Sequence, residues 1–140
     1  MGAKLKGCAV TSGVGRGELL ITGQTISFWG GVDPATGAII DPRHELFRQS
    51  IAGKVLAFPQ GKGSSTTSLI ILELVRLGRQ PRAIVNIHAE PILATGPIVS
   101  KAFYGKSIPM VTLSPPDFEK LRGAREVEVD ADRGWVEIVR

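Results

Sequence analysis

Metal-binding side chains are scarce in this sequence. The 140 residues include one cysteine, Cys8, and two histidines, His44 and His88, which lie far apart. One cysteine forms no internal disulfide, and one thiolate holds neither an iron–sulfur cluster nor a structural zinc ion. We therefore expect the chain to bind no metal by itself. Because Cys8 lies in an apolar run of strand character, we expect its thiol to be buried and unreactive.

Long apolar segments are also missing. The longest aliphatic run, residues 69–72, is far shorter than the roughly 20 residues that a membrane-spanning helix needs. The basic residues near the start of the sequence precede no long apolar stretch, so we predict no signal peptide. These features argue against a membrane protein and lead us to expect a cytoplasmic one.

Neither sign of charge dominates. The 17 basic and 13 acidic residues leave a net charge of +4, which mildly favours an anionic substrate or an acidic partner surface. The basic residues are scattered rather than interleaved with stacking aromatic residues. We therefore expect no nucleic-acid partner.

The composition is that of an ordinary globular domain. Hydrophobic residues make up 43% of the chain and charged residues 21%, which is outside the disordered range. No linker or internal repeat divides the sequence. We predict a single domain over residues 1–140.

The hydrophobic pattern predicts a mixed α/β domain. A helix at 65–77 lies between apolar strands at 54–58 and 83–87, which makes a βαβ unit with a right-handed crossover. Alternating residues at 126–130 and 135–139 predict a terminal β-hairpin. The other predicted elements are strands at 4–10, 18–22, 38–40 and 109–113, a turn or bulge at 12–17, a short helix at 97–103 and a helical turn at 116–121.

The clearest chemical signal is at residues 58–68. This segment follows a buried strand and opens the predicted helix, which is where open α/β sheets bind ligands. Its helical start offers backbone N–H groups, hydroxyls and Lys62 without Asp or Glu, so it suits an anion. A phosphate-binding P-loop is excluded because its first glycine would fall at Leu56, and the glycine spacing also excludes a dinucleotide fingerprint. The simpler alternative is that Ser64 or Ser65 only caps the helix.

Three segments in combination, residues 26–34, 50–56 and 61–65, with Asp41 between them, resemble the swivel domain of the aconitase X family. The resemblance covers nearly the whole chain. It implies a swivelling β/β/α domain that pairs with a large catalytic subunit, and that subunit binds a four-iron–four-sulfur cluster. It also implies that the pair is a hydro-lyase of the archaeal mevalonate pathway. The pair would remove water from mevalonate 5-phosphate and give trans-anhydromevalonate 5-phosphate.

The resemblance also implies roles for particular residues. In the superfamily the first serine after Gly-x-Gly accepts the proton, and that serine matches Ser64. The candidate substrate-binding residues are Lys62, Gly63, Ser65 and Arg43. Better-known aconitases follow the serine pair with Arg-Glu, but this chain has two threonines there. The substrate carboxylate is therefore expected to contact Arg43, Lys62 or the partner chain.

A serine hydroxyl is a poor base unless its surroundings stabilise the alkoxide. The 61–66 segment contains glycines that let backbone amides converge, a helix start and Lys62. Our hypothesis is that Ser64 is the base and that this loop stabilises its alkoxide. Ser65 is the alternative.

Other interpretations remain open on the sequence. The same family suggests a cis-3-hydroxyproline dehydratase subunit. A non-catalytic module could dock on an enzyme through the loop at Trp29, whereas Phe28 and Trp29 could equally be core residues. A self-contained phosphate-ester enzyme lacks a visible base or metal cluster. His44 is a candidate for orienting a substrate or partner, and His88 is expected to be structural.

Overall fold

The computed structural model describes residues 3–61, 65–89 and 91–140, with side chains for all of these except residues 65, 66 and 91–93. In chain order the elements are β1 (Lys4–Lys6), β2 (Cys8–Ala9), β3 (Val14–Ile21), β4 (Val32–Asp33), β5 (Ala38–Ile39), β6 (Val55–Ala57), α1 (Ser65–Arg76), β7 (Ala83–Asn86), α2 (Pro91–Tyr104), β8 (Met110–Thr112), α3 (Pro115–Glu119), β9 (Glu126–Asp130) and β10 (Trp135–Ile138). The predicted mixed α/β class is confirmed.

Eight strands form one sheet in the order β1-β10-β9-β3-β6-β7-β8-β2. The four consecutive strands β3, β6, β7 and β8 are parallel to one another, and every other neighbouring pair in the sheet is antiparallel. The two ends of the order, β1 and β2, are separated in sequence only by Gly7. The sheet therefore closes on itself as a ring, and β4 pairs with β5 as a separate ribbon.

Gly7 allows this closure. Its N–H donates to the carbonyl of Gly134 at 2.8 Å. A Cβ atom at position 7 would lie 2.0 Å from the carbonyl oxygen of Thr112, a distance that no side chain could tolerate. The absence of a side chain thus lets one short stretch pair with β10 on one side and with β8 on the other. The prediction of a single strand over 4–10 missed this division.

Successive side chains along each strand point to opposite faces of the sheet, and each face has its own hydrophobic core. Val55 and Ala57 belong to a cluster drawn from strands around the ring, together with Phe118 of α3, so this cluster fills the ring interior. Leu56 points the other way, into a cluster that includes Ile71 of α1. This second cluster lies between the parallel strands and the layer formed by α1, α2 and the 26–51 loops. The period of two along each strand accounts for the near-continuous hydrophobicity of these segments.

The turn or bulge predicted at residues 12–17 is wrong, because β3 already begins at Val14 and pairs in unbroken register with β9 from Val14 to Glu18. Its glycines serve close chain approach rather than a reversal. A Cβ on Gly15 would lie 2.2 Å from the carbonyl oxygen of Arg82, and one on Gly17 would lie 3.0 Å from that of Gly53.

We expect Gly15→Ala to lower the free energy of unfolding by about 1–3 kcal/mol, because the backbone of β3 or that of Arg82 must move to admit the methyl group. Gly23→Ala is the matched control. A Cβ there meets only the guanidinium end of Arg122, at 3.0 Å, and that end can swing away, so we expect a change within about 0.5 kcal/mol. Urea unfolding of both variants measures the difference, and equal stabilities would contradict the close-approach explanation.

The remaining elements compare as follows. The βαβ unit β6-α1-β7 and the β9–β10 hairpin are confirmed, the latter with Trp135 opposite Asp130. The short helix expected at 97–103 is in fact α2, which begins at Pro91, a first-turn position that suits proline, and carries Pro97 in its interior. No helix within the described ranges is long and apolar enough to span a membrane.

The expected burial of Cys8 is also wrong, because the thiol is exposed. Strand β2 has only two residues, and both are exposed. No bulky neighbour within such a short strand covers the sulfur.

Glu126 opens β9 between two arginines, with Arg16 at 2.5 Å and Arg140 at 2.5 Å. Hydrogen bonds from Arg16 first, and then from Arg140, hold the pKa of Glu126 below its ordinary value of 4.5. A lowered pKa stabilises the fold above the unfolded-state pKa, and this contribution is lost as pH falls through the folded-state pKa.

We therefore expect Glu126→Gln to unfold at lower urea concentration than the wild type at pH 7. The gap should narrow as pH falls below 4.5 and be smallest once pH has passed the lowered folded-state pKa of Glu126, where the folded wild-type carboxyl group is protonated. Urea midpoints at a series of pH values measure the gap. A gap that did not change with pH would show that the charge of Glu126 contributes nothing.

Candidate functional site

The parallel strands β3, β6, β7 and β8 end at one edge of the ring, and their following loops meet there. The described parts of the segment singled out by the sequence, residues 58–61 and the start of α1 at Ser65, lie at this edge, since they follow the end of β6 at Ala57. This helix has no acidic residue in its first turn. Edges of this kind are the usual binding place in α/β sheets, because free N–H groups of the following helices point there.

A bridge joins this segment to a loop far away in sequence. Ile26 pairs in parallel with Gly61, so the chain that continues into 27–31 starts beside the chain that continues into 62–64. Ile26 and Gly61, which begin two of the three segments that carried the family resemblance, are therefore neighbours in space.

The predicted site residues fall into two groups. Lys62, Gly63 and Ser64 lie outside the described residues, and Ser65 is described by its backbone alone, as the first residue of α1. Their roles remain predictions. Arg43 is described, and its side chain is 91% exposed with Nε 3.4 Å from a carboxylate oxygen of Asp41.

Asp41 forms an ion pair with Arg43. The backbone N–H of Arg43 and then its guanidinium lower the pKa of the Asp41 carboxyl group below its ordinary value. Arg43 lines a shallow pocket together with Ser27 and Trp29 of the neighbouring loop. An exposed pair of this kind is weak, so the guanidinium is free to exchange Asp41 for another anion.

The loop at 27–31 carries two aromatic residues, and the sequence did not decide whether they lie in the core or on the surface. Phe28 is fully buried and packs against Phe58, with ring centroids 6.0 Å apart. Trp29 is 62% exposed. Phe28 is thus a core residue, whereas the indole of Trp29 projects from the surface.

His44 serves the loops rather than a ligand. Its Nδ1 accepts a hydrogen bond from the backbone N–H of Leu46 at 3.0 Å. The proton must then be on Nε2, which donates to the carbonyl of Thr25 at 3.1 Å. Both ring nitrogens are engaged, so the suggestion that His44 orients a substrate is not supported. His88 is exposed. Its backbone N–H donates to the carbonyl of Pro59 at 3.0 Å, a bond that any residue could make, so the structural role expected of its side chain stays a prediction.

Asn86 was not singled out in the sequence. It ends β7 at the carboxyl edge, is 1% exposed, and donates from Nδ2 to the carbonyl of Phe58 at 2.8 Å. Its Oδ1 has no hydrogen-bond donor among the described residues. Asn86 therefore ties the end of β7 to the residue that begins the β6–α1 connection. A buried polar residue that ends an otherwise apolar strand is the signal that could have identified it.

An iron–sulfur cluster does not fit this chain. Within the described ranges, no group of three or more His, Cys, Asp or Glu side chains could hold a metal ion. The sequence has a single cysteine, and it lies on exposed β2, whereas clusters of this kind need several thiolates.

The chain is a compact α/β domain built from a closed ring of strands and an outer helical layer. Its loop edge suits an anion, and its described part has no metal-ligand set. The chain belongs to the aconitase X swivel-domain family, because the family model described as "Aconitase X swivel domain" matches residues 4–138. The family resemblance seen in the sequence is confirmed.

Relatives and solved structures agree over almost the full length. The chain is 44% identical over 136 residues to the phosphomevalonate dehydratase small subunit of Pyrococcus furiosus, covering 97% of this chain and 96% of that protein. It is 46% identical over 131 residues to the same-named protein of Methanothermobacter thermautotrophicus, covering 92% and 95%. The crystal structure of Thermococcus kodakaraensis aconitase X in its holo form superimposes with a TM-score of 0.86 at 43% identity, covering 99% of both chains. The solution structure of a UPF0107 protein gives 0.85 at 36% identity, covering 99% of this chain and all of the other.

Proposed function

We propose that this chain is the small subunit of a phosphomevalonate dehydratase, active together with a large subunit and present in the cytoplasm. The observation that carries the proposal is the similarity along nearly the whole chain to small subunits of that name, at 44% identity over 97% of the chain in one case. The alternatives drawn from the sequence find no support in these relatives.

The reaction removes water from mevalonate 5-phosphate. A base takes a proton from the carbon beside the carboxylate, and the electron pair of that C–H bond becomes the new double bond. The C–O bond at the next carbon breaks with its electron pair on oxygen, and the departing hydroxide takes up a proton from solvent to leave as water. We assign the proton acceptor to Ser64 of this chain.

The four-iron–four-sulfur cluster is assigned to the large subunit. The single cysteine of this chain and the lack of a metal-ligand group among its described residues support that division. This chain would thus complete a site whose metal is held by its partner.

Anion recognition is the second role that we assign to this chain. The described start of α1 has no acidic residue. Arg43 stands exposed on the loop after β5 and lines one pocket with Trp29 of the loop that begins beside Gly61. With Lys62, Gly63 and Ser65 of the same edge, Arg43 would receive the carboxylate or the phosphate of the substrate.

Anaerobic mixing of the chain with its cluster-loaded large subunit tests the proposal. The substrates are mevalonate 5-phosphate, unphosphorylated mevalonate and cis-3-hydroxyproline, with products identified by NMR. We expect trans-anhydromevalonate 5-phosphate from the first substrate only, and from neither chain alone. Turnover of cis-3-hydroxyproline instead would replace the substrate. Failure of the chains to associate would overturn the proposal and favour the non-catalytic docking module.

A further inference from the structure

An exposed apolar patch lies on two adjacent loops at the carboxyl edge. It consists of Trp29, Ile40 and Pro42, with Arg43 at its rim, and we refer to it as the Trp29 patch. Trp29 is 62% and Ile40 is 45% exposed, and all four residues line one shallow pocket. Single exposed apolar residues are ordinary, but contiguous ones rimmed by charge mark interaction surfaces.

The turn that carries Trp29 has a fixed backbone. The Ser27 hydroxyl donates to the carbonyl of Trp29 at 3.2 Å, and the N–H of Val32 donates to the carbonyl of Phe28 at 3.2 Å. A Cβ on Gly31 would lie 2.0 Å from the carbonyl oxygen of Ser27, so the tightness of the turn depends on glycine there.

The second loop of the patch is tied to the first. The N–H of Ile40 donates to the carbonyl of Gly31 at 2.9 Å, and buried Phe28 anchors the turn in the core. A side chain presented on so fixed a backbone loses little entropy on binding. Tryptophan and arginine are also the residues that most often dominate binding energy at interfaces.

The position of the patch indicates its partner. It lies on the loop that pairs with Gly61 through Ile26, and Gly61 directly precedes the segment with Ser64. Under the proposed function the two subunits act on one substrate, so the large subunit must approach this edge. From this adjacency we propose that the Trp29 patch is the surface through which the chain binds its cluster-bearing large subunit, an inference that rests on the proposed function.

A second exposed aromatic group provides an internal comparison. Phe103 and Tyr104, which are 78% and 45% exposed, end helix α2. This helix starts at the carboxyl edge after β7 and has 14 residues. At 1.5 Å per residue its end lies about 20 Å away. Phe103 is therefore an exposed aromatic residue remote from the edge where substrate is expected to bind.

The test is the affinity of the chain for its cluster-loaded large subunit, measured by calorimetry with wild type, Trp29→Ala and Phe103→Ala. We expect Trp29→Ala to raise Kd by about 30-fold or more, as at interface hot spots, and Phe103→Ala to leave Kd within about twofold. Thermal unfolding of each variant shows that it is folded, and Trp29→Tyr should restore part of the affinity.

Fluorescence gives an independent readout. The chain has two tryptophans, so Trp135→Phe leaves Trp29 as the reporter, and its emission should shift to the blue on complex formation. Unchanged affinity of Trp29→Ala, or unchanged emission, would overturn the docking surface alone. Failure of the wild type to bind would overturn the proposed function as well. Self-association of the isolated chain that Trp29→Ala abolishes would assign the patch to a second copy and contradict the proposal.

Discussion

Replacing Ser64 with alanine is expected to lower kcat for dehydration of mevalonate 5-phosphate by about 10³-fold, the range that a lost proton acceptor produces. The remaining loop can still bind substrate, but no other group there is assigned to take the proton. KM should change little, because the hydroxyl is expected to act mainly in the transition state. Steady-state kinetics of the two-subunit complex measures both constants.

Ser65→Ala is the matched control for this variant. It removes a hydroxyl from the next residue, so we expect kcat to fall by less than about 10-fold, as for loss of a single contact of about 1 kcal/mol. Both variants should bind the large subunit as tightly as the wild type. Full activity of Ser64→Ala together with an inactive Ser65→Ala would transfer the base to Ser65.

Replacing Phe28 with alanine is expected to lower the free energy of unfolding by about 3–5 kcal/mol. The ring is fully buried, packs on Phe58, and belongs to the cluster between the parallel strands and the helical layer. Its removal leaves a cavity at the base of the turn that presents Trp29. Urea unfolding followed by circular dichroism measures the loss.

The adjacent residue is the control. Trp29 is exposed, so Trp29→Ala should change stability by no more than about 0.5 kcal/mol while weakening association with the large subunit. The pair thus separates folding from binding at consecutive positions. Equal destabilisation by the two substitutions would contradict the division of Phe28 into the core and Trp29 onto the surface.

Local periodicity was sufficient to predict several elements. The apolar strands β6 and β7, helix α1 between them and the β9–β10 hairpin depend on residues close in sequence, and the structure has all of them. Closure of the ring was not predictable in this way. It depends on Gly7 lying against Thr112, a contact between residues far apart in the sequence. The prediction for the segment around Gly15 was wrong for the same reason, because Arg82, which lies against Gly15, is distant in sequence.

The candidate site shows the same limit. The residue types at 61–65, after a strand and before a helix, indicated where a ligand would bind. The bridge from Ile26 to Gly61 and the hydrogen bond from Asn86 to Phe58 are tertiary contacts, so the sequence alone did not show that the Trp29 loop lies beside this segment. Exposure of Cys8 depends likewise on the two-residue length of β2.

The most direct test of the central claim is a titration of this chain into a fixed amount of cluster-loaded large subunit, with loss of water from mevalonate 5-phosphate as the signal. We predict no turnover before the chain is added, a rate that rises to saturation with the wild type, and almost none at any concentration of Ser64→Ala. Turnover by the large subunit alone, or equal saturating rates with both forms of this chain, would contradict the account.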